Sequence, residues 1–231
     1  MSEPQVSLID GLLTTRAIRR YQPEPVPEEA LATMLFAATR APSGSNRQPF
    51  RFLVLRDGPN ARQAKRLLGE SFRRGWSAKR AHDGYDSGSG EADDSPKARM
   101  ARTMQHYVDH MEDTPVVVLA CLNRYRPATT YEGASVYPAC QNLLLAARAL
   151  GYGGVMTIWH VPVEAELRSL LGIPESTAIA ATITLGRPEG HHGPVRRRPV
   201  AELVYEDGWE QPAPWAVDLR DARFTGAGPP R

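Results

Sequence analysis

Ala41-Pro42-Ser43-Gly44-Ser45-Asn46-Arg47-Gln48-Pro49-Phe50, running on into Arg51-Phe52-Leu53-Val54-Leu55, joins a polar turn to an apolar run. Pro42 ends the preceding helix, because a proline disfavours helical backbone in the residue before it. Phe50 to Leu55 predicts a buried strand, closed by the turn pair Asp57-Gly58. Upstream, Leu31, Met34, Leu35 and Ala38 fall at i, i+3, i+4 and i+7, so a helix starting near Pro27-Glu28-Glu29 has one apolar face. The short donors and acceptors of Ser43, Ser45 and Asn46 suit the edge of a polar heterocycle. Taken alone, they are more simply an ordinary turn.

The same reading extends outward. Pro115 to Leu122 is a continuous apolar run, which predicts a central strand covered on both faces. Ala134 to Leu150 predicts the longest helix, apolar nearly all round and so buried centrally or in a subunit interface. Gly151 stops it. Further helices are predicted from Leu8 towards Thr15 (capped by Ser7), over Ala61 to Arg74, Lys97 to Met111 and Val163 to Leu171. Strands are predicted near Val155 and over Ala178 to Leu185. Helices alternating with strands give α/β or α+β layers. His82 to Ser95 is Gly-, Ser- and Asp-rich and predicts a mobile loop. Beyond Arg187 the chain reads as an arm over the surface.

Composition limits the function. The 231 residues are 42% hydrophobic, enough for one sizeable domain with or without an appendage. Lys and Arg number 28 against 26 Asp and Glu, a net charge of +2 that argues against a nucleic-acid partner. Cys121 and Cys140 are too far apart to suggest a disulfide framework or zinc site. Met1 to Asp10 lacks the pattern of a signal peptide, and no apolar run reaches the ~18 residues of a membrane helix. The expectation is a cytoplasmic protein with no membrane or metal partner.

Few segments carry chemistry by themselves. Arg16 with Arg19, and Arg196-Arg197-Arg198, suit phosphate or are solvated clusters. Gly151-Tyr152-Gly153-Gly154 has no glycine at Met156 and follows a helix, so it fails the dinucleotide fingerprint and reads as a helix stop with close packing. His106 and His110 lack a third ligand. Lys65, Arg66, Arg73, Arg74, Lys79 and Arg80 read as a charged helix face.

In order along the chain, four parts of the sequence resemble the nitroreductase family. Thr15-Arg16-Ala17-Ile18-Arg19-Arg20-Tyr21 resembles its Arg-Arg-Ser-x-Arg-x-Phe opening. Ala41 to Phe50 resembles its Ala-Pro-Ser-x-x-Asn-x-Gln-Pro-Trp motif. Tyr137 to Gly151 resembles its long buried helix, and Leu185-Gly186-Arg187-Pro188 with Arg197-Arg198-Pro199 resembles its close. The resemblance spans roughly Leu8 to Val204. Ala17 and Phe50 depart from the pattern, and Glu70 to Asp113 aligns with nothing in it.

The resemblance implies an α+β fold, a three-layer α/β/α sandwich with a central mixed sheet, working as an obligate homodimer. Residues 1–204 would form an FMN-binding domain with a mobile lid over about 70–113, including the loop 82–95. Residues 205–231 would be an extension. Arg16, Ala17, Arg19 and Arg197 from one subunit would meet Pro42, Ser43, Ser45 and Asn46 from the other around FMN, with Met156 and Thr157 lining it. NADH or NADPH would supply hydride to a small-molecule acceptor, a nitro, quinone or other unsaturated compound. Arg19 would tune the reduced flavin, and no side-chain acid or base is required. Dehalogenation, oxidative flavin chemistry, a deazaflavin cofactor and a non-catalytic flavin carrier are the alternatives.

Overall fold

The computed structural model describes residues 6–92, 94–219 and 222–224. In chain order its helices are α1 (Leu8–Thr14), α2 (Glu28–Ala38), α3 (Pro59–His82), α4 (Pro96–Asp109), α5 (Tyr137–Ala149) and α6 (Glu164–Leu171). Its strands are β1 (Phe50–Leu55), β2 (Val116–Asn123), β3 (Gly153–Thr157), β4 (Thr177–Gly186), β5 (Arg196–Arg197) and β6 (Arg223–Phe224).

β2 organises the fold. Successive strand side chains point to opposite faces. Val116, Val118, Ala120 and Leu122 therefore enter one core, while Val117, Leu119 and Cys121 enter another. α2 and α5 close the first core with Leu31, Met34, Ala38, Cys140, Leu143 and Ala147. α3, α4 and α6 close the second with Leu68, Phe72, Trp76, Tyr107, Val108 and Leu167. This is the expected α+β, three-layer sandwich.

The main sheet runs β1-β2-β4-β3, with every neighbouring pair antiparallel. Its expected mixed character is corrected: β4 lies between β2 and β3 and runs against both, so those two parallel strands never touch. Beside this sheet, the parallel pairing among described residues is one bridge, Ala17 to Gly154, and the separate β5–β6 ladder.

Three other expectations change. α3 continues past Arg74 to His82. Gly75 weakens a helix interior by about 1 kcal/mol, but its bare surface lets the Trp159 ring pack 3.6 Å from where a Cβ would stand. Lys65 is not part of a solvated face. It is buried and donates to the Thr114 carbonyl at 2.7 Å, and burial lowers its pKa. α5 starts at Tyr137 rather than Ala134, with Pro138 in its first turn, where a missing N–H costs nothing. Its outer face is only half covered: Leu145, Ala146 and Ala149 line a surface groove with Leu8, Gly11 and Phe36.

Residues 70–113 form the end of α3, all of α4 and the tip between them. Trp76 Nε1 donates to Gln105 Oε1 at 2.9 Å, and Phe72 packs on Tyr107. The intervening 83–95 tip is largely exposed, although Tyr85 packs edge-on to Trp76 at 5.1 Å. Among residues 205–219, Tyr205 bridges Pro212 and Trp215 Nε1 donates to Glu206 at 2.8 Å.

Bare backbone lets the N-terminal segment dock. A Cβ on Gly153 would stand 2.5 Å from Ile18 Cγ1, and one on Gly186 2.9 Å from the Tyr21 ring. A Cβ on Gly154 would collide with the Thr184 carbonyl, a backbone atom that cannot swing aside. Gly154→Ala should therefore cost about 1–3 kcal/mol, the usual range for overpacking. Urea unfolding measures this, and an unchanged midpoint would mean that the edge yields freely.

Candidate active site

Residues 17–22 cross the sheet end where β3 begins and β4 stops. Ile18 N donates to Gly154 O at 3.0 Å, Gln22 N to Arg187 O at 2.9 Å, and Glu189 N to Arg20 O at 3.0 Å. Extended backbone alternates its side chains, and this ribbon sorts the arginines accordingly. Arg16 and Ile18 line one cleft, while Arg19 and Tyr21 line another.

The first cleft has a volume of about 340 Å³. Thr15, Arg16, Arg148, Gly151 to Gly154, Arg187, His191 and His192 are among its lining residues, which include no Asp or Glu. Arg148 Nε donates to Thr14 Oγ1 at 3.0 Å. Arg187 pairs with Glu24 and lies over the Tyr152 ring. Gly151 takes φ +78°, a conformation that favours glycine. The Gly151–Gly154 segment read as packing is thus also a cleft wall. The Thr15 and Thr157 hydroxyls are buried without a partner.

The second cleft holds Arg19, His106, His110 and Glu189 above a buried hydroxyl chain. Tyr21 Oη donates to Ile18 O at 2.6 Å and lies 2.8 Å from Thr184 Oγ1, which is 3.0 Å from Tyr107 Oη. Tyr21 has one proton, so the order is Tyr107 to Thr184 to Tyr21 to the Ile18 carbonyl. Burial raises both phenols well above their ordinary pKa, so neither ionises near neutrality. The chain ties the ribbon beneath Arg19 to the sheet. Tyr21 stands where the opening motif has Phe, and that added hydroxyl was the legible signal.

The other expected site residues fall in two places. Val195 N donates to Leu13 O at 2.9 Å, which lays the arm carrying Arg197 beside the segment carrying Arg16. Ala17 bridges Gly154, and Met156 and Thr157 follow on the same edge strand. Pro42, Ser43, Ser45 and Asn46 lie at the opposite end. Gly44 N donates to Ser135 Oγ at 3.3 Å just before α5 begins, whereas the first cleft touches Arg148 near its last turn. Twelve steps along a helix, Tyr137 to Ala149, cover about 18 Å. One chain therefore keeps the two halves of the expected site apart.

The turn is strained. Ser45, Asn46 and Gln48 take φ of 52°, 51° and 49°, at about 1–2 kcal/mol each for residues with a Cβ. Ser43 Oγ accepts from Gln48 N at 2.9 Å, and Gln48 Nε2 donates to Asn46 Oδ1 at 3.2 Å. Arg148, His191, His192 and the Tyr107–Thr184 pair were missed, since no local motif marks them.

With this geometry, the comparisons decide the family. A model of the nitroreductase family matches residues 12–187. The chain belongs to that family. It is an NAD(P)H-dependent flavin oxidoreductase. It is 28% identical to an NADH dehydrogenase of Thermus thermophilus over 87% of this chain and 96% of that one. It is 26% identical to an iodotyrosine deiodinase of Thermotoga neapolitana over 79% and 89%. A candidate nitroreductase from Desulfovibrio desulfuricans, solved in complex with FMN, superposes with a TM-score of 0.63 at 29% identity, covering 90% and 99%. No helix among the described residues is long and apolar enough to cross a membrane.

The cysteines stand outside the site. Burial pushes Cys121 up to about 11 and Cys140 up to about 12. The thiolate is the reactive form, so a thiol reagent near pH 8 should label the native protein slowly and label both cysteines once it is denatured. Fast labelling of native protein would contradict this burial.

Proposed function

We propose that two copies of this chain assemble two FMN sites in which NADH or NADPH reduces a small nitro, quinone or other unsaturated acceptor. The observation that carries this reading is the cationic, acid-free cleft beside a glycine edge, with an unpartnered hydroxyl at Thr15. An anionic, hydrogen-bonding cofactor fits that donor set. Arg16 and Arg197 hold the phosphate end, and Ala17 contributes backbone. Met156 and Thr157 line the ring, and Pro42, Ser43, Ser45 and Asn46 arrive from the other copy. Bound there, FMN would supply the hydride-transfer chemistry between NAD(P)H and the acceptor. FMN suits better than FAD because the arginines match a terminal phosphate. Purified protein should carry one FMN per chain and oxidise NAD(P)H with a nitroaromatic or quinone. A flavin-loaded protein without turnover would leave a carrier instead. The deiodinase likeness favours dehalogenation as a second reading, which a halophenol included in the acceptor screen tests.

The uncovered apolar face supports the dimer. Leu8, 71% exposed, and Phe36, 65% exposed, line the groove on α5. An obligate interface buries about 2,000 Å² or more. Phe36→Asp should yield monomers that lose FMN in light scattering coupled to flavin absorbance. A flavin-loaded monomer would overturn the shared site.

Arg16 and Arg19 should separate by readout. Arg16→Ala should weaken FMN binding roughly 10–100-fold, the worth of a charge-assisted bond of about 1.5–3 kcal/mol, with the potential nearly unchanged. Arg19 is assigned to the charge that develops on reduction. Arg19→Ala should lower the flavin potential by roughly 30–65 mV, since 30 mV of a two-electron couple is about 1.4 kcal/mol. Spectroelectrochemistry of flavin-saturated variants reads both, and an unchanged potential in Arg19→Ala leaves Arg19 a structural cation.

A further inference from the structure

We infer that the first cleft is a proton-coupled site for a phosphate monoester, with His192 as the ligand that takes up the proton. This rests on the flavin reading above and adds a residue that neither the family motifs nor the local sequence assigns.

The geometry comes first. Residues 190–194 are an irregular segment fixed at both ends, and Gly190, His191 and His192 line the cleft. Glu189 N is bonded to Arg20 O at 3.0 Å, and Val195 N to Leu13 O at 2.9 Å. Gly190, at φ +78°, makes the bend. His191 and His192 are thereby held on the cleft that Arg16 lines. Its other cations, Arg148 and Arg187, are engaged by Thr14 and by Glu24. No carboxylate lines this cleft.

The electrostatics follow from that arrangement. His192 is exposed at the edge of the cleft; the solvation it loses against the neighbouring residues, then Arg16 and more weakly His191, lower its pKa, while a hydrogen bond to the Glu189 backbone acts the other way. With the cleft empty, the ring is neutral near pH 7. The charges that act on this ring in the free protein are those of Arg16 and His191, and a phosphate dianion placed against it adds opposite charge and favours imidazolium. The ring then takes a proton from solvent and donates from both nitrogens. Its pKa is low in the free protein and raised in the complex, so binding takes up protons between those two values. Affinity rises as pH falls through that window. The rise stops near pH 6, where a phosphate monoester itself gains a proton.

A phosphate monoester is supplied by FMN and also by the 2′-phosphate of NADPH. Calorimetric titration of flavin-stripped protein in buffers of different ionisation enthalpy counts the protons. FMN should be bound with net uptake and about tenfold tighter at about pH 6.5 than at pH 8, within the limit of tenfold per pH unit for one linked proton. Riboflavin should show neither effect. His192→Gln should abolish the uptake and the rise, so that this variant binds FMN no more tightly at about pH 6.5 than at pH 8. Uptake by FMN-loaded protein on adding NADP+, but not NAD+, neither of which reduces the flavin, would also support the site and assign it to the donor. Inorganic phosphate, followed by NMR of the His192 imidazole, tests the cleft without flavin, and a raised pKa is expected. FMN bound with no proton exchange, together with a His192 titration indifferent to phosphate and NADP+, would overturn the proposal and leave the enzyme reading intact. Failure to bind FMN at all would overturn the enzyme reading, and the phosphate titration would still decide this site.

Discussion

An antiparallel strand with apolar side chains on both faces cannot be left open to water on either, and β2 sets that constraint here. Val117 and Leu119 require helices on one face, and Val118 and Ala120 require them on the other. Exposing either face would give up about 25 cal/mol for each Å² of apolar surface, against a net domain stability of only about 5–15 kcal/mol. The layers therefore stand or fall together, and β3 is left as the edge strand. An edge presents unpaired backbone groups. Here the segment Ala17–Ile18 covers the first part of it through Gly154.

The site is a by-product of that cover. Gly153, Gly154 and Gly186 carry no side chains, so the ribbon lies close enough to pair. Its alternation then divides Arg16 from Arg19, one on each side. A phosphate-binding role and a charge-tuning role need such a division. One cation must act on a group remote from the reaction, and the other on the ring. The hydroxyl chain from Tyr107 to the Ile18 carbonyl anchors this division in the second core.

Much of this was legible where local pattern and tertiary packing agree. The helix with Leu31, Met34 and Ala38, the strand Phe50 to Leu55 and the central apolar run were read nearly to the residue, since their periodicity is their burial. Sequence reading failed where a distant partner decides. The helix predicted over Ala61 to Arg74 runs on through Gly75, against which Trp159 packs. Lys65 belonged to a charged face until the Thr114 carbonyl offered a buried acceptor. The antiparallel sheet was invisible because strand order depends on where β4 inserts. The site motifs at Thr15 to Tyr21 and Ala41 to Phe50 were legible. The histidine segment was not, because its position comes from anchors at Leu13 and Arg20, more than 160 residues away.

The strained turn sharpens the case for a shared site. Three left-handed residues with side chains sit together in an exposed segment, where relaxation should be easy. Bonds among Ser43, Asn46 and Gln48 hold them, and within this chain their exposed side chains touch nothing in the cationic clefts. Strain of this kind persists only where the surroundings over-determine it, and it clusters at ligand sites. A turn shaped in advance also reduces the ordering cost when a second molecule brings its cleft to meet it. The turn and the cleft lie at opposite ends of α5, beside the apolar face of α1, α2 and α5. A two-fold axis through that face, with the two copies of α5 antiparallel, would bring each turn towards the other copy's cleft.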